Sequence, residues 1–302
     1  MLKIVISAIA LCSLMYGGIC LFLYKQQQRI IFFPSPTLTT TPADLGIPYT
    51  DLWIPIPSHS NTHPDNPPNN SPDNHSDATS LHGWWMPSPD ADAPGLLYLH
   101  GNGDNMSANA SKAAWFHSLG FSVLIIDYRG YGLSSGEFPS EQQVYEDADA
   151  AWRYLTESLD VAPQNSFVFG HSLGGAIAIE LASHHPDMAG LIVEGSFTSI
   201  LDMSNRTKNY GFLPIDFLLH QRFESIDKVS DLRLPVLYVH GTADYTVPMD
   251  MSEALYARTP APKKLLLVPG AGHNNVVEFG ARIYEQAIRD VFSLCHQQSQ
   301  CF

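Results

Sequence analysis

The sequence predicts an α/β protein in which a mostly parallel central sheet carries helices on both faces and an apolar helix precedes the domain. From Gly95 onward, short runs of β-branched and aromatic residues alternate with segments of helical periodicity. The runs are continuously apolar, as expected of parallel strands that are buried on both faces. Of the 302 residues, 45% are hydrophobic and 15% are charged, which favours one globular domain with appendages.

The N-terminal segment contains an uncharged run, Ile4–Tyr24, with Lys3 before it and Lys25 and Arg29 after it. Its length matches the roughly 20 residues that a helix needs to cross a bilayer. The run is longer than the core of a secretory signal, and no small-residue cleavage site follows it. We therefore expect residues 1–25 to form an uncleaved single-pass membrane anchor, with a cleaved signal and a soluble hydrophobic hairpin as alternatives. The flanking charges nearly balance, so they predict no orientation.

The remaining chain divides by composition. We predict an extended linker at residues 26–47 and the folded domain at residues 48–295. Within the domain, residues 57–80 are dense in Asn, Pro, Asp and Ser, which predicts a disordered insertion. Residues 296–302 form a C-terminal tail. Cys295 and Cys301 lie close enough in sequence for a small disulfide loop, and two free thiols are an equally good interpretation.

Six apolar runs predict the strands of the sheet, and helical segments separate most of them. In chain order the runs are "GLLYLHG", "FSVLIIDY", "NSFVFGHS", "AGLIVEGS", "LPVLYVHG" and "KKLLLVPG". The alternation fails between residues 200 and 229, a segment that includes "GFLPIDFLLHQRF". We interpret this segment as a cap that is inserted over the ends of the strands.

The stretch "SFVFGHSLGGAIAIE" places the pattern G-x-S-x-G directly after a predicted strand and directly before a predicted helix. A reversal this tight forces the backbone of Ser172 toward strained dihedrals, and its glycine neighbours let the two elements pack closely. The hydroxyl of Ser172 then stands at a helix N-terminus, where backbone N–H groups stabilise developing negative charge. We predict that Ser172 is a catalytic nucleophile; a packing turn is the alternative.

A serine hydroxyl requires a base, and a histidine base requires an orienting acid. In a parallel sheet such groups lie at the carboxyl ends of the strands. Asp244 follows the strand "PVLYVHG" and His273 follows "LLLVPG", so Ser172, Asp244 and His273 form a candidate triad in this chain order. Glu194, at the end of "LIVEG", is the rival acid. A helix-capping Asp244 and a surface-loop His273 are the structural alternatives.

A site for the oxyanion is predicted at the end of an earlier strand, in "YLHGNGDN". Glycines at this turn leave backbone N–H groups available to a ligand. We expect the N–H of Asn102, with Gly101 as a fallback, to act together with the N–H of Leu173, the residue that follows the nucleophile. The alternative is a glycine turn that serves only to connect a strand to a helix.

Other classes of function are disfavoured. The chain has 30 acidic and 16 basic residues and a net charge of −14, so it repels the phosphate backbone of nucleic acids. "HGNGDN" has the wrong glycine spacing for a dinucleotide-binding turn. We predict no cofactor and no metal.

Together, "HGNG", "DYRGYGLSSG", "GHSLGG", "HGTADYTVP" and "GAGHNN" resemble the α/β-hydrolase superfamily, over roughly Phe32 to Leu294. They look most like its membrane-anchored, short-cap group, which includes bud-emergence-type hydrolases and protein depalmitoylases. The resemblance implies ester, thioester or amide hydrolysis through an acyl-enzyme, without a cofactor. We expect Asp127 and Arg129 of "DYRGYG" to brace the turn beside the oxyanion loop. The Asn/Pro-rich insertion and the C-terminal tail depart from the family pattern.

The sequence therefore predicts a serine hydrolase that cleaves small-molecule or lipid-like acyl esters or thioesters near a membrane. An acyltransferase or an amidase with the same triad is the nearest alternative, and a catalytically idle membrane scaffold is the alternative from another class. The apolar residues of the cap either line an acyl pocket, face the bilayer or form a small core of their own.

Overall fold

The computed structural model describes residues 1–56, 79–206 and 213–298. Most of the predicted insertion at residues 57–80 lies outside the described residues, as do residues 207–212 of the predicted cap and the chain beyond residue 298. The predicted pairing of Cys295 with Cys301 lies outside them too.

An eight-stranded sheet forms the centre of the part of the chain that the structure describes. The described residues form ten strands, eight of them in this sheet, which are in chain order β1 (Phe33–Pro34), β2 (Thr50–Pro55), β3 (Ser80–Met86), β4 (Gly95–Leu99), β5 (Gly103–Asp104), β6 (Ser122–Ile126), β7 (Ser166–His171), β8 (Gly190–Glu194), β9 (Val236–Gly241) and β10 (Lys263–Val268). The sheet order is β10-β9-β8-β7-β4-β6-β3-β2, and β1 pairs separately with β5. In this sheet β3 is antiparallel to both of its neighbours, β2 and β6, and the other described pairs are parallel.

Helices cover both faces of this sheet. In chain order, the α-helices of the described residues are α1 (Leu2–Ile31), α2 (Ala110–Ser118), α3 (Glu141–Arg153), α4 (Leu173–His184), α5 (Ile200–Arg206), α6 (Ile215–Leu218), α7 (Ser225–Lys228), α8 (Met249–Arg258) and α9 (Val276–Gln298, with a kink at Gly280). One apolar cluster joins the sheet to Phe116 of α2 and Tyr284 of α9. A second cluster joins the other face to Val144 of α3, Ile177 of α4 and Leu255 of α8. The predicted doubly covered α/β fold is thus confirmed.

The order of the strands brings the turns that carry the predicted site to one edge. Strands β4, β7, β8, β9 and β10 are parallel, so their carboxyl ends lie at the same edge of the sheet. The short helices α5, α6 and α7 lie in the chain between β8 and β9, which is the segment predicted as a cap.

The N-terminal helix is longer than the predicted anchor. Among the described residues, α1 is the one helix that is long and apolar enough to cross a membrane, and no residue of its most apolar 18-residue stretch is buried in the protein. The helix continues to Ile31, and Gln27 and Ile31 are buried in the domain. The segment 26–47, predicted as an extended linker, is therefore helical in its first part and packed against the domain. Local composition did not reveal this, because the contacts come from residues far along the chain.

The two charged residues of "DYRGYG" have different structural roles. Asp127 is fully buried, and its Oδ1 accepts a hydrogen bond from the N–H of Met106 at 2.6 Å, in the turn that follows β5. The expected brace beside the loop after β4 is therefore present for Asp127. Arg129 does not share this role: its guanidinium pairs with Asp147 and Glu146 on α3. For Arg129 the expectation was wrong, because buried Asp147 on the neighbouring helix binds the guanidinium instead.

Candidate active site

Ser172 occupies a strained turn between β7 and α4. It is the single residue between the two elements, and its φ of 54° and ψ of −119° are rare for a residue with a side chain. The glycines beside it allow the turn to close. A Cβ on Gly170 would lie 2.3 Å from the carbonyl oxygen of Gly174, and a Cβ on Gly174 would lie 2.1 Å from that of Leu99. No side chain fits at either position, so the predicted steric reason for G-x-S-x-G holds here.

The strained turn directs Ser172 to a cleft of about 720 Å³. Ser172, His273 and Asn102 all line this cleft. Ser172 is 8% exposed, so the cleft is its route to solvent. The N–H of Ser172 donates to the carbonyl of Glu194 at 2.8 Å, which ties the turn to the end of β8.

His273 and Asp244 form a close pair at the ends of β10 and β9. The Nδ1 of His273 donates to Oδ2 of Asp244 at 2.7 Å. The other oxygen, Oδ1, accepts from the N–H groups of Thr246 and Val247 at 2.8 and 2.9 Å. These bonds fix the plane of the carboxylate. With Nδ1 as the donor, Nε2 of His273 is left to accept a proton.

The environment of Asp244 keeps it ionised. Burial alone would raise the pKa of its carboxyl, but hydrogen bonds from His240, His273 and the N–H of Val247 outweigh burial and hold that pKa well below its usual range. An ionised Asp244 orients the His273 ring and stabilises the positive charge that the ring acquires when it takes a proton.

The end of β8 brings the pair and the serine together. Gly195 follows β8 with φ +57°, and a Cβ there would lie 3.4 Å from the His273 ring and 3.7 Å from Oδ2 of Asp244. The preceding residue, Glu194, accepts the bond from the N–H of Ser172. The serine turn therefore lies against Glu194, and the His–Asp pair lies against the next residue, Gly195.

The loop after β4 lines the cleft beside Ser172. The Nδ1 of buried His100 donates to the carbonyl of Gly101 at 2.7 Å. The described peptide bonds are trans, so the N–H of Asn102, in the same peptide unit, points away from that ring. Leu173 is the first residue of α4, where an N–H has no partner within the helix. Both predicted oxyanion donors thus belong to turns that flank the Ser172 hydroxyl.

The N-terminal segment supports this oxyanion loop directly. The Nδ2 of Asn102 donates to the carbonyl of Ile31 at 2.9 Å. The carbonyl of Asn102 accepts from the N–H of Phe33 at 2.9 Å and from the hydroxyl of Tyr131 at 2.8 Å. The pairing continues where the N–H of Ser35 donates to the carbonyl of Asp104. The end of α1 therefore holds the side chain of Asn102, and strand β1 holds its carbonyl.

Two histidines beside the pair were missed by the sequence analysis. The ring of His171 lies 4.8 Å from that of His273, and its Nε2 donates to the His273 carbonyl at 3.0 Å. Burial and the nearby charges of Lys112 and His273 lower the pKa of His171 well below its ordinary value, so the ring is neutral. His240 lies behind the pair, with its Nε2 3.2 Å from Oδ2 of Asp244. In the sequence, the one signal for either histidine was that His171 directly precedes the predicted nucleophile, Ser172.

The rival acid, Glu194, is engaged elsewhere. It is fully buried, and its Oε1 forms an ion pair with Nζ of Lys112. The same oxygen lies 4.0 Å from Nε2 of His171. Because the Nδ1 of His273 is already bonded to Asp244, the geometry favours Asp244 over Glu194 as the orienting acid.

Comparisons with known proteins agree with this architecture. The sequence profile of the family described as serine aminopeptidase, S33, matches residues 94–215. An uncharacterized protein of Mycobacterium tuberculosis is 35% identical over 282 residues, which are 93% of this chain and 92% of that protein. The alpha/beta hydrolase domain-containing protein WAV2 of Arabidopsis thaliana is 30% identical over 271 residues, covering 82% of this chain and 81% of that protein.

A solved structure extends the comparison to the fold. The esterase Pf2001 of Pyrococcus furiosus superposes with a TM-score of 0.66 at 18% identity, over 86% of this chain and 99% of that one. At this identity the likeness concerns the fold. The relatives and the architecture together define the class: the chain belongs to the α/β-hydrolase superfamily and is a hydrolase of that type.

Replacing each of the two acids, Asp244 and Glu194, by its amide separates their roles. Asp244→Asn leaves His273 without an anionic partner, and we expect kcat for an ester to fall about 10⁴-fold. Glu194→Gln leaves the charge of Lys112 largely buried without a counterion, so we expect a stability loss of about 3 kcal/mol. Its effect on kcat should stay within about tenfold. Thermal unfolding and steady-state kinetics of both variants measure this, and the reverse ranking of kcat would contradict the assignment.

Asn102→Ala tests the contact between the loop and the N-terminal segment. The substitution keeps the backbone N–H and the two bonds to the carbonyl of residue 102 but removes the bond to Ile31, so the candidate oxyanion donor is held less firmly. We expect kcat to fall about tenfold while KM changes less than about twofold. Asn165→Ala is the matched control, because it removes an amide-to-carbonyl bond at the opposite end of β7. An unchanged kcat in Asn102→Ala, or an equal loss in the control, would refute the positioning role.

Proposed function

We propose that the protein is a serine hydrolase that cleaves carboxylic esters or thioesters through an acyl-enzyme intermediate. The observation that carries the proposal is the arrangement in the cleft: Ser172 on a strained turn, and His273 held through Nδ1 by ionised Asp244. Membership of the α/β-hydrolase superfamily supports it. The names of the relatives cited above specify no substrate, whereas the structural neighbour Pf2001 is named an esterase, which supports the choice of an ester.

The mechanism uses each of these groups in turn. Nε2 of His273 takes the proton of Ser172 as the Ser172 oxygen attacks the acyl carbonyl. The resulting oxyanion accepts hydrogen bonds from the N–H groups of Asn102 and Leu173. The C–O or C–S bond then breaks, and His273 gives its proton to the leaving alcohol or thiol. Water, deprotonated by His273, attacks the acyl-enzyme and releases the acid, which restores the Ser172 hydroxyl.

We further propose that α1 is a retained membrane anchor. Two observations favour retention over a cleaved signal. Gln27 and Ile31 of this helix are buried in the domain, and the carbonyl of Ile31 accepts the bond from Asn102. Cleavage after Ile31 would remove this helix, expose the surface that Gln27 and Ile31 cover and free one side of the candidate oxyanion loop. The substrates are accordingly acyl groups presented at a membrane surface.

A panel of p-nitrophenyl esters and acyl thioesters tests the proposed reaction. We expect turnover by the wild type, a burst of one equivalent of the first product, and an acyl adduct on Ser172 detected by mass spectrometry. In Ser172→Ala, kcat should fall about 10⁴-fold or more. Turnover that survives in Ser172→Ala, or a wild type that hydrolyses neither class, would rule out this mechanism.

Membrane retention is tested on the protein expressed at full length. An integral anchor should stay in the membrane pellet after alkaline carbonate washing, and the intact mass should include residues 1–25. Recovery in the wash, or a mature chain that begins after the apolar run, would argue for a peripheral or secreted protein.

A further inference from the structure

A buried histidine and a buried carboxylate lie beneath the loop after β4, and the proposed mechanism uses neither of them. His100 directly follows β4 and Asp127 directly follows β6, so the parallel pairing of these strands brings both residues to the same edge of the sheet. Nε2 of His100 lies 3.3 Å from Oδ1 of Asp127. Both side chains are fully buried, so the pair is out of reach of a substrate.

The neighbours of this pair hold it in place. The His100 ring packs against the rings of Tyr128 and Tyr131, with ring centroids 4.6 and 5.1 Å away. On the other partner, Oδ1 of Asp127 accepts a hydrogen bond from the N–H of Met106 at 2.6 Å. The imidazole and the carboxylate are therefore fixed relative to each other by packing and by the turn that follows β5.

The contacts of the pair indicate how many protons it carries. Nδ1 of His100 lies 2.7 Å from the carbonyl oxygen of Gly101, and because a carbonyl only accepts, Nδ1 carries a proton. If Nε2 carried none, its lone pair would face a buried carboxylate oxygen, and the pair would hold an uncompensated negative charge. Among the described residues, no Lys or Arg pairs with Asp127 to supply that charge. A second proton is therefore shared between the ring and the carboxylate.

The proton on Nδ1 acts on the candidate oxyanion loop. The Gly101 carbonyl that accepts it and the N–H of Asn102 belong to one trans peptide unit, so they point in opposite directions. A hydrogen bond to the carbonyl fixes the plane of this unit. Donation from a ring that shares a second proton also polarises the unit, which makes its N–H a stronger donor.

We propose that His100 and Asp127 are positioning residues for the oxyanion: together they orient and polarise the peptide unit whose N–H, on Asn102, stabilises the negative charge. The inference rests on the proposed function, because it concerns the same site. The two side chains touch neither the substrate nor Ser172 and act through the Gly101 carbonyl. Their loss therefore weakens stabilisation of the transition state more than binding of the substrate.

Two substitutions of His100 that place an amide donor differently test this role. The amide nitrogen of Asn lies near the position of Nδ1, whereas that of the longer Gln lies near the position of Nε2. In the full-length protein, we expect His100→Gln to lower kcat for a p-nitrophenyl ester about thirtyfold, with KM changed less than about threefold. His100→Asn restores a donor to the Gly101 carbonyl, so its kcat should lie within about fivefold of the wild type.

His117→Gln is the matched control for these variants. His117 also donates from its ring to a carbonyl, that of Pro87 at 3.1 Å, but it does not line the cleft. Its kcat should equal that of the wild type. Equal losses of kcat in His100→Gln and His100→Asn would show a merely structural role and would overturn the inference.

A spectroscopic measurement on the unreacted protein needs no turnover. Gly101–Asn102 is the one Gly-Asn pair in the sequence, so carbon-13 in Gly carbonyls and nitrogen-15 in Asn give this peptide unit a single correlation signal in NMR. Loss of a hydrogen bond moves a carbonyl resonance upfield. We expect this movement for Gly101 in His100→Gln, and we expect the resonance to stay near its wild-type position in His100→Asn.

Asp127→Asn gives a second test that leaves the His100 ring in place. The amide oxygen still accepts from Met106, but the negative charge that holds the shared proton is gone, so the ring becomes a weaker donor. We expect the Gly101 resonance to move upfield and kcat to fall about tenfold. A resonance unmoved in both His100→Gln and Asp127→Asn would overturn the inference even if ester hydrolysis is real. The expected movements in a wild type without turnover would instead contradict the proposed function and, with it, the role in catalysis.

Discussion

The strained backbone of Ser172 is the constraint on which the candidate site depends. Its left-handed φ allows β7 to pass into α4 in one residue, and that close passage brings Gly174 against the carbonyl of Leu99 at the end of β4. The same turn therefore fixes the hydroxyl, the N–H of Leu173 and their distance from the loop after β4. A strained dihedral persists only where its surroundings hold it, and here the glycine contacts and the bond to Glu194 do so.

Most of this arrangement was predictable from the sequence. Continuous apolar runs identify parallel strands, and the carboxyl ends of such strands share an edge, so Asp244 and His273 could be assigned from their positions after two runs. The roles of His171 and His240 could not be predicted, because they depend on ring contacts between loops that are distant in the chain. The role of Arg129 could not be predicted either, because its acidic partners lie on a helix that begins twelve residues later in the chain.

The largest difference between the predicted and the observed structure concerns residues 26–35. Their composition resembles that of a linker, and β1 is only two residues long, so no periodicity marks it. Its pairing with β5 spans about seventy residues of sequence and leaves no local pattern. As a result, a segment that was predicted to connect an anchor to an enzyme instead holds the candidate oxyanion loop. The N-terminal apolar helix and the geometry of the candidate site are thereby joined through Ile31, Phe33 and Asn102.

The central claim is that Ser172, the His273–Asp244 pair and the N–H groups of Asn102 and Leu173 all act on one acyl carbonyl group. A crystal structure of the protein inactivated by an alkyl fluorophosphonate tests this most directly, because the tetrahedral phosphorus imitates the reaction intermediate. The account predicts a bond from Oγ of Ser172 to phosphorus and a phosphonyl oxygen about 3 Å from the nitrogens of Asn102 and Leu173. An adduct on another residue, or a phosphonyl oxygen directed away from both nitrogens, would contradict it.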